Sequence, residues 1–157
     1  MTISPNLAAF LALIGFSEGA DYNTIVTGKD GKPETFSDFS RHPFTNRPGK
    51  YVGKDHTGKD VYSTASGRYQ ILYGRIWVPY QEMLHLPDFG PASQDQVAIR
   101  LIKECGALQD ISEGDIAQAI LKCSSRWASF PGSTANQGGK SMQALLDKWQ
   151  ELTKENV

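Results

Sequence analysis

A glutamate at the end of an apolar segment is the side chain best placed for acid chemistry. Apolar residues recur before Glu18 at the spacing of one helical face: Ile14, Leu11, Phe10 and Leu7. A carboxylate four residues after Ile14 extends that face and meets the negative end of the helix dipole. Desolvation and the dipole both favour the protonated form, which a general acid needs near neutral pH. The alternative is a solvated glutamate that falls on the face by chance.

The helix that must position Glu18 has clear end signals. Ser4 followed by Pro5 is typical of an N-cap with proline in the first turn. Gly19 is typical of a helix stop. We therefore predict an N-terminal helix that ends at Glu18.

Length and charge limit the possible functions. The chain has 157 residues and a net charge of -1, which predicts one domain and does not suggest nucleic acid binding. Residues 41–60 carry five Lys or Arg against two Asp. This local excess of positive charge suits an anionic polymer, although an ordinary solvated loop would look the same.

The apolar start of the chain is not a typical targeting segment. No Lys or Arg precedes it, no small-residue cleavage pattern follows it, and it is shorter than a membrane span of roughly 20 residues. We predict a core helix, no signal peptide and no stable membrane insertion.

The middle of the chain changes to a β-type pattern. Gly and Pro punctuate residues 21–66 and mark turns at 28–31 and 56–59, between short β-type runs at 22–27, 50–53 and 61–63. From Arg75 onward the pattern is helical, with predicted starts near Pro79, Ser93, Ser112 and Ser141. This order predicts an α+β fold with an N-terminal helix, a small irregular antiparallel sheet lobe, a mainly helical lobe and a cleft between the lobes.

Five stretches of the sequence together carry a resemblance to a known family. They are Glu18-Gly19, Phe36–Pro43, Thr64–Gln70, Ser93–Asp95 and Trp127–Gly132. Their order and separations resemble the lambda-type phage endolysins, which are lytic transglycosylases of peptidoglycan. The resemblance covers most of the chain and implies a single lysozyme-like catalytic domain over 1–157, with its sheet lobe at about 21–66.

The chemistry depends on whether a second carboxylate acts with Glu18. A glycosidase of the usual kind pairs two carboxylates. Asp21 is too close to Glu18 in sequence, and we expect Glu34 to be solvated, which leaves Asp38. For Asp38 we favour a structural role, as acceptor of backbone, Arg or His hydrogen bonds. The leading hypothesis is therefore lytic transglycosylation of the MurNAc–GlcNAc β-1,4 bond with Glu18 as acid and base; a hydrolytic muramidase using Asp38 and a non-catalytic glycan-binding module are the alternatives.

Polar and aromatic residues that follow the sheet lobe are candidates for glycan contacts. The segment Gly67–Gln70 resembles the glycine-to-glutamine motif of lytic transglycosylases, in which the Gln lines the cleft. Tyr69 is at least as easily a core residue, and Trp127 is either a core aromatic or, as the resemblance implies, a wall of the site. The predicted substrate-binding residues are Asp38, Ser66, Arg68, Gln70, Tyr73 and Trp127.

The sequence shows no cofactor or metal motif. Its histidines and aspartates lack zinc and calcium spacing, and Cys105 and Cys123 look like buried helical thiols, not a disulfide or a reactive pair. We expect no cofactor, peptidoglycan glycan strands as the partner, and a monomer. The resemblance also implies synthesis in the host cytoplasm and release to the wall by a separate membrane-permeabilising protein.

Overall fold

The computed structural model describes residues 2–132 and 139–154. The strands are β1 (Thr24–Ile25), β2 (Glu34–Thr35), β3 (Lys50–Lys54) and β4 (Asp60–Ser63). The helices are α1 (Pro5–Glu18), a π-helical turn (Tyr73–Trp77), α2 (Val78–Leu84), α3 (Pro91–Glu104), α4 (Leu108–Ser112), α5 (Ile116–Cys123) and α6 (Met142–Lys154). None of the helices in these described ranges is both long enough and apolar enough to span a bilayer.

The chain divides into two compact units. The first combines Met1–Gly19 with Ala98–Val157, and the second is Ala20–Val97. The first unit is helical, and the second contains all four strands, the π-helical turn and α2. The second unit thus extends well beyond the predicted sheet lobe at 21–66, and the boundary falls inside α3.

Helix α1 has the ends that its sequence predicts. The Ser4 hydroxyl accepts a hydrogen bond from the Leu7 backbone at 3.2 Å, and Pro5 is the first helical residue. Gly19 ends the helix in the left-handed conformation at φ 64°. These local capping signals are therefore confirmed.

Helix α1 is buried on more than its predicted apolar face. Within the first unit the helix packs against α4 and α6, and Ala9 and Leu13 are buried beside the predicted apolar face. The Phe10 ring meets Phe130 edge-on at 6.0 Å, and Asn6 donates to the Ile111 carbonyl at 3.0 Å. The segment on which Glu18 lies is therefore held in the core of its unit on several sides.

The second unit holds two small antiparallel pairs in place of one irregular sheet. β1 pairs with β2, a strand that the sequence pattern did not predict, and β3 pairs with β4 across the predicted turn at 56–59. A bulge between Tyr51 and Gly53 shifts the register of the β3–β4 hairpin. The pairs are short because Gly and Pro interrupt the intervening chain.

An aromatic cluster around His42 forms a core within the second unit. The imidazole is fully buried and lies 4.6 Å from the Phe89 ring and 5.3 Å from the Tyr73 ring, centroid to centroid. Trp77 meets Phe89 edge-on at 4.8 Å. This cluster joins the loop after β2 to the π-helical turn.

Two predicted helix starts were wrong. α3 begins at Pro91, so Ser93 lies in its first turn and donates to Asp88 at 3.0 Å. Ser112 ends α4, and Asp115 caps α5 by accepting from Gln118. In both cases a stronger local signal sets the start. Pro91 fits the first turn of α3, and Asp115 is a good N-cap for α5. The Ser141 cap of α6 is confirmed by its bond from the Ala144 backbone at 3.1 Å.

Candidate active site

Glu18 is a half-buried carboxyl at the last position of α1. Burial is the largest influence on it and raises the pKa of the Glu18 carboxyl above its ordinary value. A hydrogen bond with the Ser129 side chain and the charge of Lys140 act in the opposite direction and lower that pKa in part. The result is a carboxyl that retains its proton at a higher pH than a solvated glutamate does.

The Ser129 hydroxyl connects the side chain of Glu18 to that of Ser17, the residue before it. It lies 2.8 Å from the Ser17 hydroxyl, and it also bonds the Glu18 side chain. Ser17 is buried in α1, so this chain of hydroxyls is anchored in the core of the first unit. A Cβ on Gly139 would overlap the backbone of Ser129, which shows how closely residue 139 packs on this segment.

Two lysines flank the ring of Phe16, two residues before Glu18. The Lys140 ammonium lies 4.8 Å from the ring centroid and the Lys148 ammonium 5.2 Å. Both contacts are within cation–π range. Of these two lysines, Lys140 also lowers the pKa of the Glu18 carboxyl through its charge.

The environment of Asp38 agrees in part with the one that the sequence predicted. We expected Asp38 near Arg41 and His42, with bonds to backbone, Arg or His. Its carboxylate is exposed and accepts from the backbone N–H of Ser40 at 2.9 Å, as expected, and from the Ser40 hydroxyl at 2.6 Å in place of an Arg or His. These bonds lower the pKa of the Asp38 carboxyl, the hydroxyl bond most. Asp38 lines a cavity of about 320 Å³ within the second unit, next to Arg41 and Arg47.

The other two candidate carboxylates also have defined partners. Glu34 is not simply solvated, since it bonds Arg47 at 2.7 Å and Lys50 at 3.0 Å. These cations, Arg47 most, hold the pKa of the Glu34 carboxyl at about 2. Asp21 is exposed and accepts from the backbone N–H of Tyr22 at 2.8 Å.

Arg68 lies in a polar cluster within the second unit. Its guanidinium donates to the Tyr22 hydroxyl at 2.9 Å and lies 5.0 Å from the Tyr22 ring centroid. The hydroxyls of Tyr22 and Tyr69 both donate to Asp95, at 2.9 and 2.5 Å. Arg68 is therefore linked to a carboxylate through two tyrosines, and Tyr69, at 1% exposure, is a core residue.

Gln94 holds the turn that precedes Arg68. Its amide oxygen accepts from the Arg68 backbone at 3.0 Å, and its amide nitrogen donates to the carbonyls of Tyr22 and Phe89. Gly67 has φ 81°, and a Cβ at this position would overlap the Gln94 amide. The glycine is thus required both by its backbone conformation and by a close contact.

Gln70 and Tyr73 remain available as candidate ligand contacts. Gln70 is half-buried at φ 49°, a strained region for a non-glycine residue, and its amide nitrogen donates to the Gly67 carbonyl at 2.9 Å. Its amide oxygen is bonded to no residue that the structure describes. Tyr73 is half-exposed at the first position of the π-helical turn.

Two residues that were predicted to contact the glycan, Ser66 and Trp127, are buried. Ser66 is fully buried, and its hydroxyl donates to the Thr64 carbonyl at 3.1 Å. Trp127 is only 2% exposed and packs near Phe130, with ring centroids 6.4 Å apart. Both side chains therefore serve the cores of their units, because the sequence pattern does not distinguish a buried polar or aromatic residue from a cleft residue.

The predicted site residues fall into both units. Glu18 and Trp127 belong to the first, whereas Asp38, Ser66, Arg68, Gln70 and Tyr73 belong to the second. The sequence interpretation missed the roles of Ser129, Gln94 and Asp95. Each of them lies in a stretch that carried the family resemblance, which was the one signal that could have singled them out.

Comparison with known proteins identifies the family. A family model described as Endolysin matches residues 8–155. The chain belongs to the endolysin family. The endolysin of Escherichia phage P2 is 46% identical over 155 residues, covering 92% of this chain and 91% of the relative. The endolysin of Escherichia phage lambda is 42% identical over 153 residues, covering 91% and 88%.

Solved structures confirm the lysozyme-like α+β fold. A structure of bacteriophage lambda lysozyme complexed with a chitohexasaccharide matches with a TM-score of 0.81 and 39% identity, over 98% of this chain and 97% of that one. A second structure of lysozyme from bacteriophage lambda matches with a TM-score of 0.75 and 38% identity, over 97% and 96%. Family and fold together make this chain a phage endolysin, a lysozyme-like enzyme that lyses the bacterial cell wall by acting on its peptidoglycan.

Proposed function

We propose that the chain cleaves the MurNAc–GlcNAc β-1,4 bond of peptidoglycan by lytic transglycosylation, with Glu18 as acid and then as base. The observation that carries this proposal is the half-buried Glu18 carboxyl, whose pKa is raised by burial and which is held by Ser129. A group that first donates and then accepts a proton works best with a pKa near the ambient pH.

In the first step, Glu18 donates its proton to the oxygen that joins C1 of MurNAc to C4 of GlcNAc. The bond from C1 to that oxygen breaks, and the GlcNAc fragment leaves with a hydroxyl. The N-acetyl oxygen of the same MurNAc stabilises the positive charge that develops at C1. Glu18 is then a carboxylate, which the Ser129 hydroxyl and the positive charge of Lys140 stabilise.

In the second step, the C6 hydroxyl of MurNAc attacks its own C1. The Glu18 carboxylate takes the hydroxyl proton, and a 1,6-anhydro ring forms. No water is consumed, and Glu18 returns to its protonated state. The cycle thus requires one carboxyl group and no second carboxylate.

The partners of the other candidate carboxylates support a mechanism with a single carboxyl. Glu34 is neutralised by Arg47 and Lys50, and Asp38 is committed to Ser40. A muramidase mechanism would need one of these groups to leave its partners in order to activate water or to stabilise the oxocarbenium ion.

Glycan strands are the proposed substrate. Lambda lysozyme, similar over nearly the whole chain, was solved in complex with a chitohexasaccharide. We assign glycan contacts here to the half-buried Arg68, Gln70 and Tyr73 and to the exposed Asp38, whose polar atoms are accessible within the second unit. Ser66 and Trp127 are buried and are assigned no direct glycan contact.

The cellular setting is part of the same proposal. The chain acts as a monomer without a cofactor, is synthesised in the host cytoplasm and reaches the wall after a separate protein has permeabilised the membrane. Local positive charge at 41–60 favours the anionic wall polymer.

Analysis of the product ends tests the proposed reaction. Purified peptidoglycan is digested, reduced with borohydride and examined by mass spectrometry. Transglycosylation predicts 1,6-anhydromuramyl ends, which borohydride leaves unchanged. New muramyl ends that are all reduced would overturn the proposal and favour the muramidase, and the absence of any cleavage by the folded protein would favour a glycan-binding module.

A further inference from the structure

One arginine of the second unit is held both at its backbone and at its guanidinium. The backbone N–H of Arg68 donates to the Gln94 amide oxygen at 3.0 Å. Its Nη1 donates to the Tyr22 hydroxyl at 2.9 Å and to the Tyr69 hydroxyl at 3.4 Å, and the guanidinium carbon lies 5.0 Å from the Tyr22 ring centroid. The side chain is therefore fixed in one orientation although it is only half-buried.

Asp95 directs this guanidinium through the two tyrosines. Both tyrosine hydroxyls donate to the same Asp95 oxygen, Oδ1, at 2.9 and 2.5 Å. Because each hydroxyl proton points to the carboxylate, the hydroxyl lone pairs are left to accept from Arg68. The carboxylate also polarises the hydroxyls and strengthens them as acceptors. Asp95 thus orients Arg68 without forming an ion pair with it, and no other residue that the structure describes forms one with Arg68 either.

The other edge of the guanidinium is unused within the described part of the chain. Both bonds to hydroxyls use Nη1, and neither Nε nor Nη2 donates to any residue described by the structure. Nε–H and one N–H of Nη2 point the same way and match the two oxygens of a carboxylate. A half-buried cation without a direct counter-ion favours an anionic partner over a neutral hydroxyl. The arrangement therefore fits a carboxylate that comes from outside the chain.

We propose that the Nε–Nη2 edge of Arg68 binds a carboxylate of the peptide stem of peptidoglycan, and that Asp95 is the positioning residue that keeps this edge in place. The inference rests on the proposed function, in which Arg68 contacts the substrate, and deepens it by naming the group that Arg68 contacts. In strands that carry stems, the lactyl carboxyl of MurNAc is bonded to the stem, so the free carboxylates belong to the stem. A chitin-type glycan has none, and Arg68 thus favours peptidoglycan over neutral glycans.

The experiment compares two substrates that differ in charge and share the same sugars. Soluble glycan strands with intact stems are used as prepared, or after a carbodiimide and ammonia have converted the stem carboxylates into amides. Initial rates of cleavage by the full chain give a half-saturating concentration and a maximal rate for each substrate. The wild type should reach half-saturation at about tenfold lower concentration of the charged strands, because the amides cannot form the charge-assisted bidentate bond.

Substitutions of Arg68 and Asp95 test the two parts of the proposal separately. In Arg68→Gln the two half-saturating concentrations should become equal, because no guanidinium remains. In Asp95→Asn the guanidinium persists but its anchor is weakened, so the preference should fall to about threefold. Half-saturating concentrations do not depend on the fraction of folded enzyme, so reduced stability cannot imitate either result. Arg75→Gln is the matched control and should keep the wild-type preference, since Arg75 is an exposed arginine of the same unit.

The proposal is overturned if the wild type does not distinguish the two substrates, or if Arg68→Gln retains the full preference. A full preference in Asp95→Asn would remove the positioning role. These outcomes differ from a failure of the proposed reaction, which shows itself in the chemistry of the product ends. If neither substrate is cleaved, retention of the protein on insoluble peptidoglycan, native or amidated, gives the same comparison with the same expected preferences.

Discussion

Glu18 and Ser129 are hydrogen-bonded partners within one unit, although most of the chain separates them in sequence. Burial favours the protonated Glu18 carboxyl, and the Ser129 hydroxyl favours the ionised one. The acid-then-base role that we propose for Glu18 needs support in both states. The Ser129 hydroxyl, which is itself hydrogen-bonded to Ser17, supplies this support for the carboxylate state.

Ser129→Ala should move the pH profile of wall lysis. Loss of the hydroxyl removes the bond that lowers the pKa of Glu18, so the alkaline limb of the profile should shift to higher pH. The rate at neutral pH should fall about tenfold, since one hydrogen bond to the reacting group is lost. Ser124→Ala is the matched control, because the Ser124 hydroxyl bonds its local carbonyl at Leu121 and no other residue in the ranges that the structure describes. An unchanged alkaline limb in Ser129→Ala would exclude the assigned role.

Glu18→Gln should make the folded protein more stable at neutral pH. The pKa of Glu18 is raised in the folded state, so the native protein binds this proton more tightly than the unfolded chain does. Stability therefore falls as the pH rises through the unfolded pKa towards the folded one, and the penalty persists above both. Glutamine carries no such charge.

Chemical denaturation of both proteins at several pH values measures this effect. The advantage of Glu18→Gln should be present at pH 7 and vanish in acid, below the ordinary pKa of glutamate. A variant that is less stable than wild type at pH 7 and equal to it in acid would show that the native site favours the ionised carboxyl.

The sequence predicted α1 and its carboxyl because their signals are local. The Ser4 cap, Pro5 and the Gly19 stop act within one turn of the chain, and their effect does not depend on the rest of the fold. The burial of the segment before Glu18 follows from its apolar composition. The neighbour of Glu18 could not be predicted, because the contact with Ser129 exists only after α1 and a distant segment have packed.

The errors among the contact residues have the same origin. Ser66 and Trp127 have polar groups that would suit a glycan, yet packing places both side chains in the interior. Asp38 was expected to accept backbone, Arg or His bonds; the backbone bond is present, and the second bond comes from a serine hydroxyl two residues later. Residue type limits what a side chain can bind, whereas the tertiary structure decides whether it is reachable.

His42 should make the protein sensitive to moderate acid. Burial lowers the pKa of the imidazole to about 4, and its Nε2–H donates to the Ile71 carbonyl at 2.9 Å while Nδ1 accepts from the Phe44 backbone. The unfolded chain protonates near pH 6.5 and the folded protein near pH 4. Stability is therefore lost as the pH falls through this window, by about 3 kcal/mol in full.

A comparison of wild type with His42→Gln isolates this contribution. The glutamine amide can donate to the same carbonyl and does not titrate. Urea unfolding at pH 7, 6, 5 and 4 covers about the whole window between the unfolded and folded pKa values. The free energy of unfolding should fall more steeply in the wild type than in His42→Gln as the pH is lowered. Parallel pH dependences in the two proteins would mean that His42 is not kept neutral by the fold.

Gly67→Ala should be strongly destabilising because two costs combine. Gly67 has φ 81°, and an added Cβ would overlap the Gln94 amide that holds the turn before Arg68. We expect a loss of about 2–4 kcal/mol. Gly58→Ala is the matched control, since Gly58 has φ 83° and a Cβ there meets none of the described atoms within 4 Å.

Urea unfolding of the two glycine variants gives the comparison. Gly58→Ala should lose only the cost of the left-handed conformation, about 1 kcal/mol. The excess loss in Gly67→Ala measures the contact with Gln94. Equal losses in the two variants would show that the Gln94 amide moves aside at no cost.

The specific wall-lysis activity of Glu18→Gln and Asp38→Asn, measured side by side on folded protein, tests the central claim most directly. Glu18→Gln removes the transferable proton and should lower the rate by about 10²–10⁴ or more, because both proton transfers depend on this group. Asp38→Asn weakens the bonds to Ser40 and one assigned glycan contact but removes no group that transfers a proton, so activity should fall only modestly. Near wild-type activity in Glu18→Gln, or an equal collapse in Asp38→Asn, would contradict a mechanism that uses Glu18 alone.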